Sequence, residues 1–342
     1  AIAAITWPGL IAPVLGPFVG GLLATYASWR WVFFLNVPLG IVAAWLAHRY
    51  TPEHREEHSP RFDVAGFLLT AVALGGLIYG LDLLGQQGES HWAAGALVVA
   101  SVGFGVAAVV HARRRPHPLL DLRAVYRDTF RQAITTTGFV GRLAMSGTPF
   151  LIPLLFQLGF GYTAFEAGLM ILVYMAGNLA MKTVTTPILR RCGFRRVLIG
   201  ANLATAATLV AYALFTPATP KPLIWVLLFA GGLSRSMTFT ATNTLTFADV
   251  APEERSGATA LSSMLQQVSM SLGVALAALA LNLGLSIWHD PQPMLPEFRF
   301  AFLCLAGFAA VSAFGFLRLD PAAGAEVSGH RRDAGQGAQT PG

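Results

Sequence analysis

About ten apolar runs follow one another along the chain, each near or above the roughly 20 residues an α-helix needs to cross a bilayer. They lie at approximately 1–26, 31–50, 62–84, 93–112, 130–157, 166–189, 195–216, 222–247, 257–287 and 298–319. Short charged loops separate them. Charged residues make up only 12% of the chain, about half the share found in soluble domains, and mean hydropathy is +0.58. A transmembrane barrel would show weak alternation over about ten residues instead of continuous runs. The expected fold is therefore all-α, a polytopic membrane protein.

Cation placement sets the orientation. Of the 23 Lys and Arg residues, Arg142, Lys182 and Arg235 fall within spans. All the others except Arg30, Lys221 and Arg299 fall in alternate loops on one side, which the positive-inside rule makes cytoplasmic. Both ends of the sequence then face the cytoplasm. The net charge of +6 reads as membrane orientation and anionic-lipid contact. Nucleic-acid binding is not expected, because the basic loop 111–131 has no interleaved aromatic platform for bases. Cys192 falls in a loop and Cys304 in a span, so no disulfide is expected. From about Asp320 the Gly/Ala/Ser-rich tail reads as disordered. The chain starts directly in apolar sequence, without an initiator Met or a signal-peptide layout, and is read as a fragment with further spans upstream.

The opening run contains Pro8-Gly9-Leu10-Ile11-Ala12-Pro13-Val14-Leu15-Gly16-Pro17-Phe18-Val19-Gly20-Gly21. Proline removes a helix hydrogen bond, and in lipid the freed carbonyl must find another donor. Ala12, Gly16 and Gly20 recur every four residues, a strip that lets another helix approach closely. The residues alone are equally compatible with a plain packing helix.

Charges inside spans are functional candidates. Arg142 and Arg235 are expected near the midplane and Lys182 nearer the cytoplasmic side. Polar stripes at helical spacing accompany them: Arg142, Ser146, Pro149, Pro153 and Gln157; Tyr174, Asn178, Lys182 and Thr185; Arg235, Thr238, Thr242 and Thr246; and Ser262, Gln266, Ser269 and Gly273. These faces either enclose a watered cavity or only satisfy one another between helices. The arginines require anionic partners, and Asp82 and Glu297 sit too near helix ends to serve. Glu166 reads as the N3 residue of a capping box with Thr163. The expected partners are carboxylates elsewhere or an anionic substrate.

Two enzyme lookalikes fail. His54-Arg55-Glu56-Glu57-His58 has the spacing of an inverted zinc-protease motif but sits in a short loop with no third ligand or cleft. Gly232-Leu233-Ser234-Arg235 departs from the intramembrane serine-protease form and has no histidine base at mid-membrane depth. No enzyme activity, metal or cofactor is expected.

Gly16-Pro17-Phe18-Val19-Gly20-Gly21 followed by Ser28-Trp29-Arg30-Trp31-Val32-Phe33-Phe34-Leu35-Asn36-Val37-Pro38-Leu39-Gly40 resembles the fifth and sixth helices of the major facilitator superfamily, in its fourteen-helix drug:proton antiporters of the EmrB/QacA type. Ala3 and Ala12 replace glycines of the fuller antiporter pattern. Arg61-Phe62-Asp63 with Gly66 is similar to the start of that family's extra central helix pair. Gly193-Phe194-Arg195-Arg196-Val197-Leu198 is similar to its degenerate basic loop. Thr242-Asn243-Thr244-Leu245-Thr246 and Ser263-Met264-Leu265-Gln266-Gln267-Val268-Ser269-Met270-Ser271-Leu272-Gly273-Val274-Ala275 are similar to the MdtD-like branch.

The resemblance implies the last two helices of an N-terminal bundle at 1–50, the extra pair and a basic loop at 51–129, a C-terminal six-helix bundle at 130–319 and a tail at 320–342. Helices one to four of the family pattern are not represented. It further implies proton-coupled efflux of drug-like or amphipathic compounds across a bacterial inner membrane. The implied substrate cavity is lined by Arg142, Ser146, Gln157, Asn178, Lys182, Arg235, Thr242, Asn243 and Gln266. Gly16, Pro17, Gly20 and Gly21 would form the gating interface, and Arg190, Arg191, Arg195 and Arg196 the cytoplasmic basic loop. Expected partners are the lipid bilayer, the small-molecule substrate, protons and periplasmic adaptor proteins. The alternatives are an exporter of organic anions such as carboxylates, a membrane scaffold and an intramembrane hydrolase.

Overall fold

The computed structural model describes residues 16, 18–50, 63–84, 91–115, 122–251, 254–288 and 293–328. Among them, nine helices are long and apolar enough to span a bilayer, and there is no strand. Residues 18–26 are also helical. The named helices are α1 (Asn36–Tyr50), which continues a short helix at Arg30–Phe34, α2 (Val64–Leu84), α3 (His91–Arg114), α4 (Thr137–Leu154), α5 (Ala164–Met181), α6 (Thr185–Ala213), α7 (Lys221–Thr246), α8 (Arg255–Trp288) and α9 (Leu295–Gly315). Pro17 and the His54 to His58 motif lie outside the described residues.

Helices α4 to α9 pack into one body. α5 lies along α7, α9 along α6 and α8 along α4, while α7 also touches α6 and α9 also touches α4 and α8. Toward one end, Phe156, Tyr174, Tyr212, Phe298 and Phe302 fill the core; toward the arginine-rich end, Phe194, Leu198, Leu245 and Phe316 do so. α2 and α3 pack chiefly on each other and reach this body through α2 against α8. Asp63 secures their junction at the arginine-rich end. One oxygen accepts from the Gly66 amide at 3.0 Å, and both lie within hydrogen-bond reach of His111 Nε2, at 2.9 and 3.2 Å.

In a hydrocarbon solvent apolar area does not drive helices together, so close backbone approach does. The α5/α7 crossing shows this: a Cβ at Gly177 would strike the Phe229 carbonyl, and one at Gly232 the Tyr174 carbonyl. At the α4/α8 crossing, a Cβ at Gly273 would lie 2.6 Å from the Leu143 carbonyl oxygen.

Helix starts follow local chemistry. The Thr163 hydroxyl accepts from the Glu166 amide at 3.2 Å, and Glu166 Oε2 accepts from the Thr163 amide at 2.9 Å. This is the capping box expected from the sequence. Pro222 begins α7 where no amide partner is needed.

Three expectations change. The span placed at 166–189 ends at Met181, with Lys182 as its exposed C-cap. Arg190, Arg191, Arg195 and Arg196 lie on helical backbone within α6, and the break between its two pieces is Gly193 alone, at φ 73° and ψ 163°. The tail does not leave the bundle at Asp320. Leu319 is buried, residues 321–324 form a turn, and Ala325–Ser328 is helical and packs on α6. Gly324, at φ 67°, sits against the Phe194 ring.

The Gly193 conformation belongs to a region open essentially to glycine alone. Gly193→Ala is expected to destabilise the protein by about 1–3 kcal/mol, read as a lowered thermal midpoint in detergent. Gly200→Ala, where a Cβ meets open space, should leave the midpoint unchanged.

Candidate functional site

α4 is interrupted at both ends and within. A π-helical turn at Arg131–Thr135 precedes it, Thr136 departs from helical geometry, and a second π turn at Leu155–Gly159 follows. Pro149 and Pro153 lie inside it. Each interruption releases main-chain carbonyls that would otherwise accept from the next turn.

The arginines of α4 and α7 use main-chain carbonyls of this interrupted stretch. Arg142, only 2% exposed, donates from one terminal nitrogen to the Ala133 carbonyl at 2.8 Å. Its other terminal nitrogen donates to Asn243 Oδ1 on α7 at 2.9 Å. Arg142 Nε is buried with no partner. Arg235, half-buried on α7, donates from Nε at 3.4 Å to the Met145 carbonyl. Met145 lies four residues before Pro149, so this is the carbonyl whose helix donor the proline removes. Among the described residues no carboxylate pairs with either arginine. Within the described residues the acceptors of both arginines are neutral oxygens. Sequence reasoning missed these acceptors because they are backbone atoms, although Pro149 was the available signal for Met145.

Arg142 and Asn243 thus meet directly, while Arg235, eight residues before Asn243 on α7, reaches α4 separately at Met145. Ser146 and Thr242 are buried in helix contacts, at 8% and 2% exposure. Thr242 donates to Thr238 O at 2.6 Å and Thr246 to Thr242 O at 2.8 Å, so those hydroxyls of the α7 stripe are satisfied within their own helix. Thr238 Oγ1 and Ser236 Oγ are buried without partners. Asn178 and Gln266 are half-buried. Gln157 donates to the Pro153 carbonyl at 3.3 Å, near the far end of α4. Lys182, exposed beyond α5, stands apart.

Of the glycine motif, Gly16 and Gly20 meet nothing within 4 Å of a Cβ position, whereas a Cβ at Gly21 would lie 2.7 Å from the Ala164 carbonyl oxygen. Phe18 and Tyr26 flank that contact, each with its ring centroid within 5.7 Å of Phe165. The opening helix therefore meets α5 at the first turn, where Thr163 and Glu166 cap it.

Outside the bilayer, Arg127 forms a two-pronged pair with Glu254, at 3.1 and 3.0 Å. The Glu254 carboxylate raises the Arg127 pKa through these bonds and its charge. This ties the segment before α4 to the start of α8. Both cysteines are free, Cys192 exposed and Cys304 partly buried.

The sequence profile of the Major Facilitator Superfamily matches residues 1–245 and again 134–340. The multidrug resistance protein MdtD of Serratia proteamaculans (strain 568) is 34% identical over 324 residues, covering 93% of this chain and 67% of its own length. The Escherichia coli O6:H1 protein of that name is 35% identical over 326 residues, covering 93% and 68%. That of Salmonella paratyphi B is 33% identical over 321 residues, with the same coverage. The chain thus spans about two thirds of the length of these relatives, at identities above 30%. With an all-helical polytopic fold and a profile match along nearly its whole length, the chain belongs to the Major Facilitator Superfamily.

Proposed function

We propose that this chain contributes to a secondary efflux transporter of a bacterial inner membrane, exporting drug-like or amphipathic compounds in exchange for protons. The observation that carries the reading is Arg142: a guanidinium almost wholly buried within a membrane span, held by neutral oxygens, with one nitrogen unpartnered. Burying such a group costs several kcal/mol, which a passive scaffold has no reason to sustain. Residues 130–319 serve as one transport bundle, 51–129 as the extra helix pair with its basic loop, and 1–50 as the last two helices of the opposing bundle. The basic loops face the cytoplasm. Arg142, Asn243 and Arg235 form the centre of the site; Asn178, Gln266, Ser146, Thr242, Gln157 and Lys182 become available as the helices part. Protons, the substrate and the lipid bilayer are the partners, and periplasmic adaptor proteins are a further proposed one.

The second reading, export of organic anions, is favoured by one observation: among the described residues no carboxylate lies beside either arginine. Transport itself is tested by substrate accumulation in energised everted vesicles. Uncoupler-sensitive, saturable uptake supports the proposal, and its absence in folded protein supports a scaffold.

The contact of the opening helix with α5 gives a sharper test. Gly21→Leu should drive the helices apart and reduce export at least tenfold, with membrane insertion retained because hydropathy rises. Gly20→Leu, where a Cβ meets none of the described residues within 4 Å, should disturb the contact with α5 less and reduce export less. Equal effects of the two substitutions would remove Gly21 from the gating interface.

A further inference from the structure

α3 and α8 do not close on each other at the arginine-rich end. Between them lies a cavity of about 250 Å³, walled by Val109 of α3, Leu122 and Val125 of the segment preceding α4, and Leu261, Met264 and Leu265 of α8. Its wall is almost wholly apolar, so water gains no hydrogen bonds there. Val109 on its wall is 38% exposed, so the cavity is reachable from outside the bundle. The helix pair reaches the six-helix body chiefly through α2 against α8, so this gap is the unfilled part of that junction.

One polar group marks the rim. Arg113 lines the same cavity from the last turn of α3, beside exposed Arg114 and Arg115. It makes no ion pair among the described residues. Tyr126, 71% exposed, lines the rim too, an amphipathic ring of the kind that settles at headgroup depth. A greasy slot ending in a cation that has no ion-pair partner among the described residues matches one occupant: an acyl chain below, an anionic phosphate above.

We propose that this cavity is a binding site for an anionic phospholipid, which completes the junction between the α2/α3 pair and α8. The acyl chain packs against Val109, Val125 and Leu261, and the headgroup phosphate meets Arg113. The site is separate from the buried arginines of α4 and α7 and does not depend on what is transported.

The test uses the purified full chain in detergent, titrated with phosphatidylglycerol, with phosphatidylcholine of the same acyl chains, or with inorganic phosphate. Retained lipid is read by native mass spectrometry and stability by thermal midpoint. Wild type should retain phosphatidylglycerol in preference to phosphatidylcholine and gain stability from it, and inorganic phosphate should do nothing. Arg113→Gln should weaken phosphatidylglycerol about fivefold, the loss expected for one interfacial cation, and leave phosphatidylcholine unchanged. Val109→Trp, filling the slot from a side chain already 38% exposed, should weaken both lipids. Equal retention of the two lipids by wild type, a phosphatidylglycerol preference that survives Arg113→Gln, or stabilisation by inorganic phosphate alone would overturn the proposal.

Discussion

Gly232→Val should abolish the folded state. At this position the α5 backbone occupies the space a side chain would need: a Cβ would strike the Tyr174 carbonyl and lie 2.8 Å from the Asn178 amide nitrogen. Neither obstacle is the movable end of a side chain. The same crossing is closed a turn away by Gly177 against Phe229, so the two helices cannot slide to relieve one contact without worsening the other. Ordinary overpacking costs about 1–3 kcal/mol; two backbone clashes that no side-chain rotation relieves cost more, against a total stability of only about 5–15 kcal/mol. Size-exclusion profiles in mild detergent should show aggregate or no recoverable protein. Gly307→Val, at a position with nothing within 4 Å, should behave as wild type, and a monodisperse Gly232→Val protein would refute the close α5/α7 crossing.

Arg142→Met should have the opposite signature, with transport lost and the fold kept. Removing the guanidinium forfeits two charge-assisted hydrogen bonds, each worth about 1.5–3 kcal/mol, and leaves Ala133 O and Asn243 Oδ1 short of a donor. It also ends the burial of a cation that no carboxylate among the described residues compensates, a penalty of several kcal/mol. The two nearly offset, so the thermal midpoint should move by no more than a few degrees while substrate flux falls at least tenfold. Asn243→Ala is the informative partner. It keeps the buried charge and takes away one of its acceptors, so it should lower stability more than Arg142→Met does. Full transport by Arg142→Met would show that this arginine only packs.

Much of this architecture was legible in the chain. Continuous apolar runs placed most of the described spans within a few residues, the exception being the α5/α6 junction, where α5 ends eight residues earlier and α6 begins ten residues earlier than expected. Thr163 with Glu166 announced the start of α5 through chemistry that needs no tertiary partner. What remained hidden depended on the third dimension or on the backbone. Hydropathy averages over a window and could not see that Gly193 alone breaks α6, nor that Leu319 and Gly324 find a berth against Phe194 and keep residues 320–328 on the bundle. The polar stripe of α7 was correctly periodic, yet periodicity cannot tell a threonine facing a cavity from one, like Thr242, bonded to its own helix. The arginines were found by their cost and their partners were not, since a list of side chains contains no carbonyls. Gly20 and Gly21 are equivalent in sequence, and only the position of Ala164 separates them.

In the drug-export reading proposed above, Arg142 and Arg235 are held by the protein's own oxygens. Arg235 offers the most direct test, because its partner is a single carbonyl, Met145 O, to which an ammonium can also donate. A carboxylate substrate would need the planar fork of the guanidinium, which lysine cannot reproduce. The measurement is uptake into energised everted vesicles of a lipophilic cation and of a tricarboxylate, for wild type and Arg235→Lys. The expected result is saturable, uncoupler-sensitive cation uptake that the substitution leaves within about twofold, with no tricarboxylate flux. Tricarboxylate uptake that collapses in Arg235→Lys, with no transport of the cation by wild type, would contradict it and make the arginines the substrate's own ligands.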